Sequence, residues 1–178
     1  GIFLVNETQL TQAESEFARE YFHNEVRARL FPLMLDYLDS FPELDDHSIY
    51  LAVRLLKKET SEKPRHSLIA VPSDVLSRFV VLPHRDGEVR IILLDDIIRV
   101  GLEDIFSSFD FRIFDAYTIK LTRDAELDIE DDITVSFMEN ISKSLKKRER
   151  GEPVRFVYDA RIPEPFLKSL MRRLKLSS

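Results

Sequence analysis

Two aliphatic runs, RFVVLP at 78–83 and VRIILL at 89–94, stand on either side of HRDGE, and this arrangement constrains the chain more than any other stretch. Asp86-Gly87 supplies the positive φ that a tight turn commonly requires, so the two runs are predicted to pair as an antiparallel hairpin. A second pair, IYLAVRLLK (49–57) and HSLIAV (66–71), flanks the polar ETSEKPR and reads as two neighbouring strands. Helical stretches lie before and after these strands, which together imply an α+β fold.

Thr11 and Glu14 have the spacing of a capping box, in which each side chain satisfies a free backbone N–H of the first turn. Phe17, Tyr21, Val26 and Leu30, with Phe22 alongside, then recur at roughly helical spacing until Pro32, which has no N–H to continue the ladder. A helix over about 12–30 is expected, followed by a loop at FPELDDHS (41–48). Downstream, Ile97, Ile98, Leu102 and Ile105 fit one face of a helix over about 96–107, with Asp95 and Asp96 favourably placed at its positive end. RIFDAYTIKLT (112–122) is a strand with Ile113, Tyr117, Ile119 and Leu121 on one face and Asp115 as the exception.

Ile133, Phe137, Ile141 and Leu145 recur in steps of four, acids first and bases last, with Gly151 just beyond, so a helix is predicted over about 130–149. VRFVYDA (154–160) is another strand, and IPEPFLKSLMRRLKL a final helix that proline opens and that buries Phe166, Leu170 and Leu174. The expected fold is α+β, with a mixed, largely antiparallel sheet and packed helices, preceded by an N-terminal helix. One domain over 1–178 is expected, with 1–40 as a leading helical segment and 49–178 as the body.

Charge is unevenly distributed. The net charge is −6, yet Lys143 to Lys175 hold eleven Lys/Arg against four Asp/Glu, a balance of +7 that leaves 1–142 at −13. A nucleic-acid partner does not fit such a chain, and only the C-terminal third could face a polyanion. The chain has no cysteine, which excludes disulfides, thiolate metal sites and cysteine nucleophiles. No apolar run approaches a membrane-spanning length. The chain starts GIFLVNE and ends KLKLSS, and is read as a piece of a longer protein.

The common catalytic patterns are missing from the sequence. Four glycines, none close together, give no Walker or Rossmann loop, and there is no G-x-S-x-G elbow; Ser73 and Ser77 read as caps. His23, His47, His66 and His84 are scattered, with no i, i+4 pair, and read as structural or surface histidines. Asp124, Glu126, Asp128, Glu130 and Asp132 alternate like a calcium loop, but Ile129 and Val135 occupy the positions where an EF-hand needs Gly and Glu. These acids are read as support for the start of the 130–149 helix. Arg123 stands at a strand end, where it can meet a ligand or pair with Asp124 or Glu126. Lys146, Lys147, Arg148 and Arg150 either complement the negative end of a helix or contact phosphates.

Seven blocks in order, GIFLVNE, YLAVRLL, VPSDVLSRFVVLP, IILLDDIIRVGLEDIF, AYTIKLTRDAELDI, SLKKRERGEPVRFVYDA and PEPFLKSLMRRL, resemble the middle or head domain of the long bacterial polyphosphate kinases. The resemblance implies a phosphohistidine-phosphatase-like α+β fold within a cytoplasmic enzyme, free or peripheral to the inner membrane. It implies reversible transfer of the terminal phosphate of ATP to inorganic polyphosphate through a phosphohistidine, with magnesium and ATP as the parent enzyme's requirements. None of the four histidines falls in a family catalytic motif, so the resemblance places the catalytic residues in other domains of the same polypeptide, in a homodimer. For this chain it implies dimer contacts and a wall of the polyphosphate path, with Arg123 as first candidate and Lys146, Lys147, Arg148 and Arg150 as weaker ones. A free-standing polyanion-binding or protein-interaction module is the alternative, and a phosphohistidine phosphatase is a third reading that rests on fold analogy alone.

Overall fold

The computed structural model describes residues 1–42, 44–45, 48–57, 63–83, 87–123 and 153–176. In chain order its strands are β1 (Ile2–Val5), β2 (Leu33–Met34), β3 (Ile49–Leu56), β4 (Arg65–Val71), β5 (Phe79–Val81), β6 (Val89–Leu93), β7 (Ile113–Arg123) and β8 (Pro153–Tyr158). The helices are α1 (Gln12–Tyr21), α2 (Leu94–Val100), α3 (Leu102–Ile105) and α4 (Glu164–Arg173). Strands and helices mix as an α+β fold requires. The residues group into two compact units, Gly1–Ser40 with Ile49–Thr118, and Phe41–Ser48 with Ile119–Ser178.

The first unit holds the predicted hairpin, with β5 antiparallel to β6 and Phe79 opposite Leu93. Gly87 takes φ +74°, the positive region that the Asp86-Gly87 pair led one to expect. β1 lies on the other edge of β6 and runs parallel to it, Ile2 opposite Val89 and Val5 opposite Ile92, which completes a three-stranded sheet in the order β1-β6-β5. β3 and β4 pair antiparallel from Ile49–Val71 to Leu55–Arg65. β2 borders β4, and β7 borders β3. The strands therefore divide between two sheets, where the sequence suggested one. The parallel partner of β1 lies too far along the chain for a local pattern to reveal it.

Helix α1 opens with the expected capping box, Thr11 N–H donating to the Glu14 carboxylate at 2.8 Å and the Thr11 hydroxyl accepting from Glu14 N–H. The helical path then changes pitch where a uniform helix to residue 30 was expected. Residues 22–26 form a wider turn, with Arg27 N–H bonded to Phe22 O, and 27–29 a tighter one, before Leu30 turns extended ahead of Pro32. The expected helix over 96–107 instead begins at Leu94 and is interrupted at Gly101. There the ring of Phe22 presses against the backbone so closely that a Cβ at position 101 would overlap it. Leu94, Ile97, Ile98, Ile105 and Phe106 are buried with Phe22, Val26, Val53, Ile69 and Ile92 in one core. Each fully buried aliphatic there contributes about 1.5–3 kcal/mol.

In the sheet β1-β6-β5, Val5, Ile92 and Val80 lie in register and point into this core. The alternate residues do not. Ile2 is 75% exposed, Leu4 62%, Phe79 57% and Val81 59%.

In the second unit β7 pairs antiparallel with β8, Ile119 opposite Tyr158 and Leu121 opposite Phe156, and the register shifts between Thr122 and Arg123. Ile119 and Leu121 are buried, as their alternation predicted. Helix α4 starts after Pro163 with a second proline in its first turn, and it buries Phe166 and Leu170. Leu174, expected in the core, lies past the end of α4 and is half-buried. The helix expected over 130–149 falls outside the described residues.

Candidate functional site

Two groups of polar side chains stand out. The first lies in the first unit, at the start of α2, where Asp95 and Asp96 follow an aliphatic strand and precede Ile97 and Ile98. Because these residues occupy the first helical turn of a segment packed into the core, both carboxylates are carried inside; Asp95 is 3% exposed and Asp96 7%. Arg99, one turn later, answers them. Its guanidinium donates to Asp96 Oδ1 at 2.6 Å, to the Thr118 hydroxyl at 2.7 Å and to the Ala116 carbonyl at 3.1 Å. The Thr118 hydroxyl donates in turn to Asp95 Oδ2 at 3.1 Å, and Arg78 Nε stands 3.8 Å from Asp95 Oδ1.

Burial pushes the Asp96 carboxyl up, the charge of Arg99 opposes this, and Glu7, within hydrogen-bonding reach, pushes it further, with Asp95 adding to the rise; the result is a value of about 7. The Asp96 carboxyl therefore keeps its proton well above the usual carboxylate range. The cluster ties the turn after β1 to α2 and to β7. Arg99, Asp96, Thr118 and Asp95 Oδ2 bond to one another as an internal interlock, while Asp95 Oδ1 and Arg78 Nε are buried without a hydrogen bond and face each other only as an ion pair at 3.8 Å.

In the sequence Asp95 and Asp96 read as helix-start acids, and Glu7, Arg78, Arg99 and Thr118 lie too far apart along the chain to mark the cluster. The missed signal was an acidic pair with aliphatic residues on both sides, which cannot be solvated on both flanks. A second buried pair stabilises the opening of α1: Arg90 Nε lies 2.7 Å from Glu14 Oε1. Burial pushes the Glu14 carboxyl up, but the Thr11 N–H and hydroxyl together with Arg90 outweigh it and hold it below the usual range. The exception on β7, Asp115, accepts twice from the Arg54 guanidinium, at 3.0 and 2.6 Å.

The second group lies on the β7–β8 ladder. Opposite residues in an antiparallel pair share a face, so Lys120 with Val157, and Thr122 with Arg155, present one side of the ladder, away from buried Ile119 and Leu121. Lys120 and Arg155 are diagonal neighbours on that side, and Arg155 is exposed. Arg123 is the last residue of β7, with its backbone opposite Pro153 just past the register shift, which is the strand-end position expected for it. Lys146, Lys147, Arg148 and Arg150, and the acids from Asp124 to Asp132, lie outside the described residues, so the expected basic group is not assembled among them.

Of the histidines, His23 meets Asp104 at 3.2 Å on the surface, and His66 faces Asp36, whose carboxylate also accepts from the His66 backbone N–H at 2.6 Å. His47 and His84 lie outside the described residues. Among the described residues no group of three or more His or acidic side chains is placed to hold a metal ion. No helix among them is long and apolar enough to cross a membrane.

The polyphosphate kinase middle domain family matches residues 13–178. The chain belongs to this family. A polyphosphate kinase of Vibrio cholerae is 42% identical over 99% of the chain, and that of Escherichia coli K12 is 39% identical over the same share. The crystal structure of polyphosphate kinase from Porphyromonas gingivalis superposes over 99% of the chain with a TM-score of 0.73 at 28% identity. The chain spans about a quarter of the length of each of these relatives, 25%, 26% and 24%. As a polyphosphate kinase middle domain, it carries exposed cations on both units, Arg65 and Arg112 on the first and Arg155 and Arg161 on the second, while the acidic pair Asp95 and Asp96 is buried inside the first.

Proposed function

We propose that this middle domain is the scaffold and a polyphosphate-facing wall of an enzyme that reversibly transfers the terminal phosphate of ATP to inorganic polyphosphate through a phosphohistidine. The family match over nearly the whole chain, set against relatives about four times as long, carries the reading. In it the nucleophile and its partners belong to the rest of a cytoplasmic, homodimeric polypeptide. The residues described here do not fit a magnesium site, and no step of the reaction is assigned to magnesium or ATP in this chain.

For the domain's own part, Arg123 at the end of β7 and the Lys120/Arg155 side of the ladder are the phosphate contacts, with Lys146, Lys147, Arg148 and Arg150 as additional ones. A chain of phosphates suits such a surface because each guanidinium can donate two parallel hydrogen bonds to non-bridging oxygens.

The test has two arms. The polypeptide from the full reading frame should make polyphosphate from ATP and magnesium, and residues 1–178 alone should not; turnover by 1–178 would sink the scaffold reading. Arg123→Ala and Arg155→Ala in the full polypeptide should raise the KM for polyphosphate severalfold, steeply dependent on salt, with little change in kcat. Micromolar polyphosphate binding by 1–178 alone, abolished by charge reversal of residues 146–150, would instead favour a free-standing polyanion-binding module.

A further inference from the structure

The outer side of the sheet β1-β6-β5 is apolar in every described residue that faces it. Leu4, Ile91 and Val81 form one row across the three strands, Phe79 and Leu93 a second, and Ile2 stands opposite Val89 in a third. The four side chains on the two edge strands are more than half exposed, while Val89, Ile91 and Leu93 on the central strand are half-buried. The opposite side, led by Val5, Ile92 and Val80, is already packed into the core.

A sheet that meets water on one side alternates apolar and polar residues, whereas IFLV, FVV and the IIL of β6 do not alternate. Continuous aliphatic strands, and a parallel pair such as β1–β6, belong to sheets covered on both faces, and the covering layer over a parallel pair is helical. Among the described residues the first unit supplies such a layer to one face only.

We propose that the outer face of β1-β6-β5 is a docking surface covered by an apolar helix face from another part of the same, longer polypeptide. The relatives place about three quarters of their length outside the matched region, which is ample chain to supply that layer. The proposal rests on the reading of this chain as one domain of a longer polyphosphate kinase. A second copy of the chain is the less fitting occupant, since it would set two aliphatic sheets face to face where the parallel pair calls for helix.

The chain has no cysteine, so a thiol introduced by substitution is its only one. In the polypeptide from the full reading frame, Leu4→Cys and Val81→Cys should react with a maleimide at least tenfold more slowly in the native protein than in urea, read peptide by peptide by mass spectrometry. Glu103→Cys, at an exposed helical position of the same unit, should show less than threefold protection. Labelling of positions 4 and 81 as fast as position 103 would overturn the proposal. Protection that vanishes on dilution, in step with conversion to monomer, would assign the face to a second copy and would also overturn it. Polyphosphate synthesis by the unsubstituted polypeptide is measured separately. An inactive protein with protected thiols would refute the proposed function alone, and an active one with unprotected thiols the docking surface alone.

Discussion

The ring of Phe22 occupies the space in which a side chain on Gly101 would begin. Phe22 sits in the widened turn that follows α1, and Gly101 separates α2 from α3, so the missing Cβ lets two helical segments approach at backbone distance. Because the backbone of Gly101 has φ −95°, a conformation open to any residue, the requirement is steric and not one of backbone freedom. Gly101→Ala should destabilise the fold by about 1–3 kcal/mol through overpacking. Urea unfolding would measure it, and adding Phe22→Leu should recover part of the loss.

Asp96 makes stability depend on pH in a defined direction. Its carboxyl titrates near 7 when folded and near 3.8 when free, so between these values the folded state holds a proton that the unfolded state has released. Its contribution is therefore fully present below pH 3.8, is lost as pH rises to about 7, and is constant above. The slope is at most about 1.4 kcal/mol per pH unit. Denaturation at a series of pH values should show this decline between pH 5 and 7, and Asp96→Asn should flatten it; an unchanged slope in Asp96→Asn would refute the assignment.

Glu14 acts in the opposite sense. Its carboxyl is held below 4.5, so its contribution is present above that pH and is lost on further acidification. Glu14→Gln keeps the shape but leaves Arg90 buried opposite an amide, and should cost about 3 kcal/mol at pH 7 by denaturation.

Arg54 and Asp115 bridge β3 and β7 within the first unit at 2.6 Å, both about one-third exposed. A double-mutant cycle with Arg54→Met and Asp115→Asn should return a coupling of about 1 kcal/mol, reduced in high salt. A coupling indistinguishable from zero would make the pair incidental.

Short-range grammar explains what the sequence disclosed. Asp86-Gly87 announced the β5–β6 hairpin, Thr11 and Glu14 the start of α1, and the aliphatic spacing of 97–105 the buried face of α2 and α3. Each of these signals is complete within a dozen residues. The features that escaped notice join distant parts of the chain. β1 pairs with a strand more than eighty residues later, Glu7 meets Asp96 across a similar separation, and Phe22 interrupts a helix it does not belong to. Asp115 looked like a flaw in an apolar strand because Arg54, which compensates it, is sixty-one residues away. At the candidate site the strand-end position of Arg123 was legible, while Arg155, opposite Thr122 and diagonal to Lys120, was hidden by the unknown pairing register.

The parallel pairing of β1 with β6 also sets an order of events at the ribosome. The segment IFLV is made before β6, and its hydrogen-bonding partner is complete only at Leu93. At about 5–20 residues per second, the nascent strand waits roughly 5–20 s with its aliphatic side chains and edge amides unpaired. For that interval β1 is a ready site for a holding chaperone, or for wrong pairing with a neighbouring nascent chain.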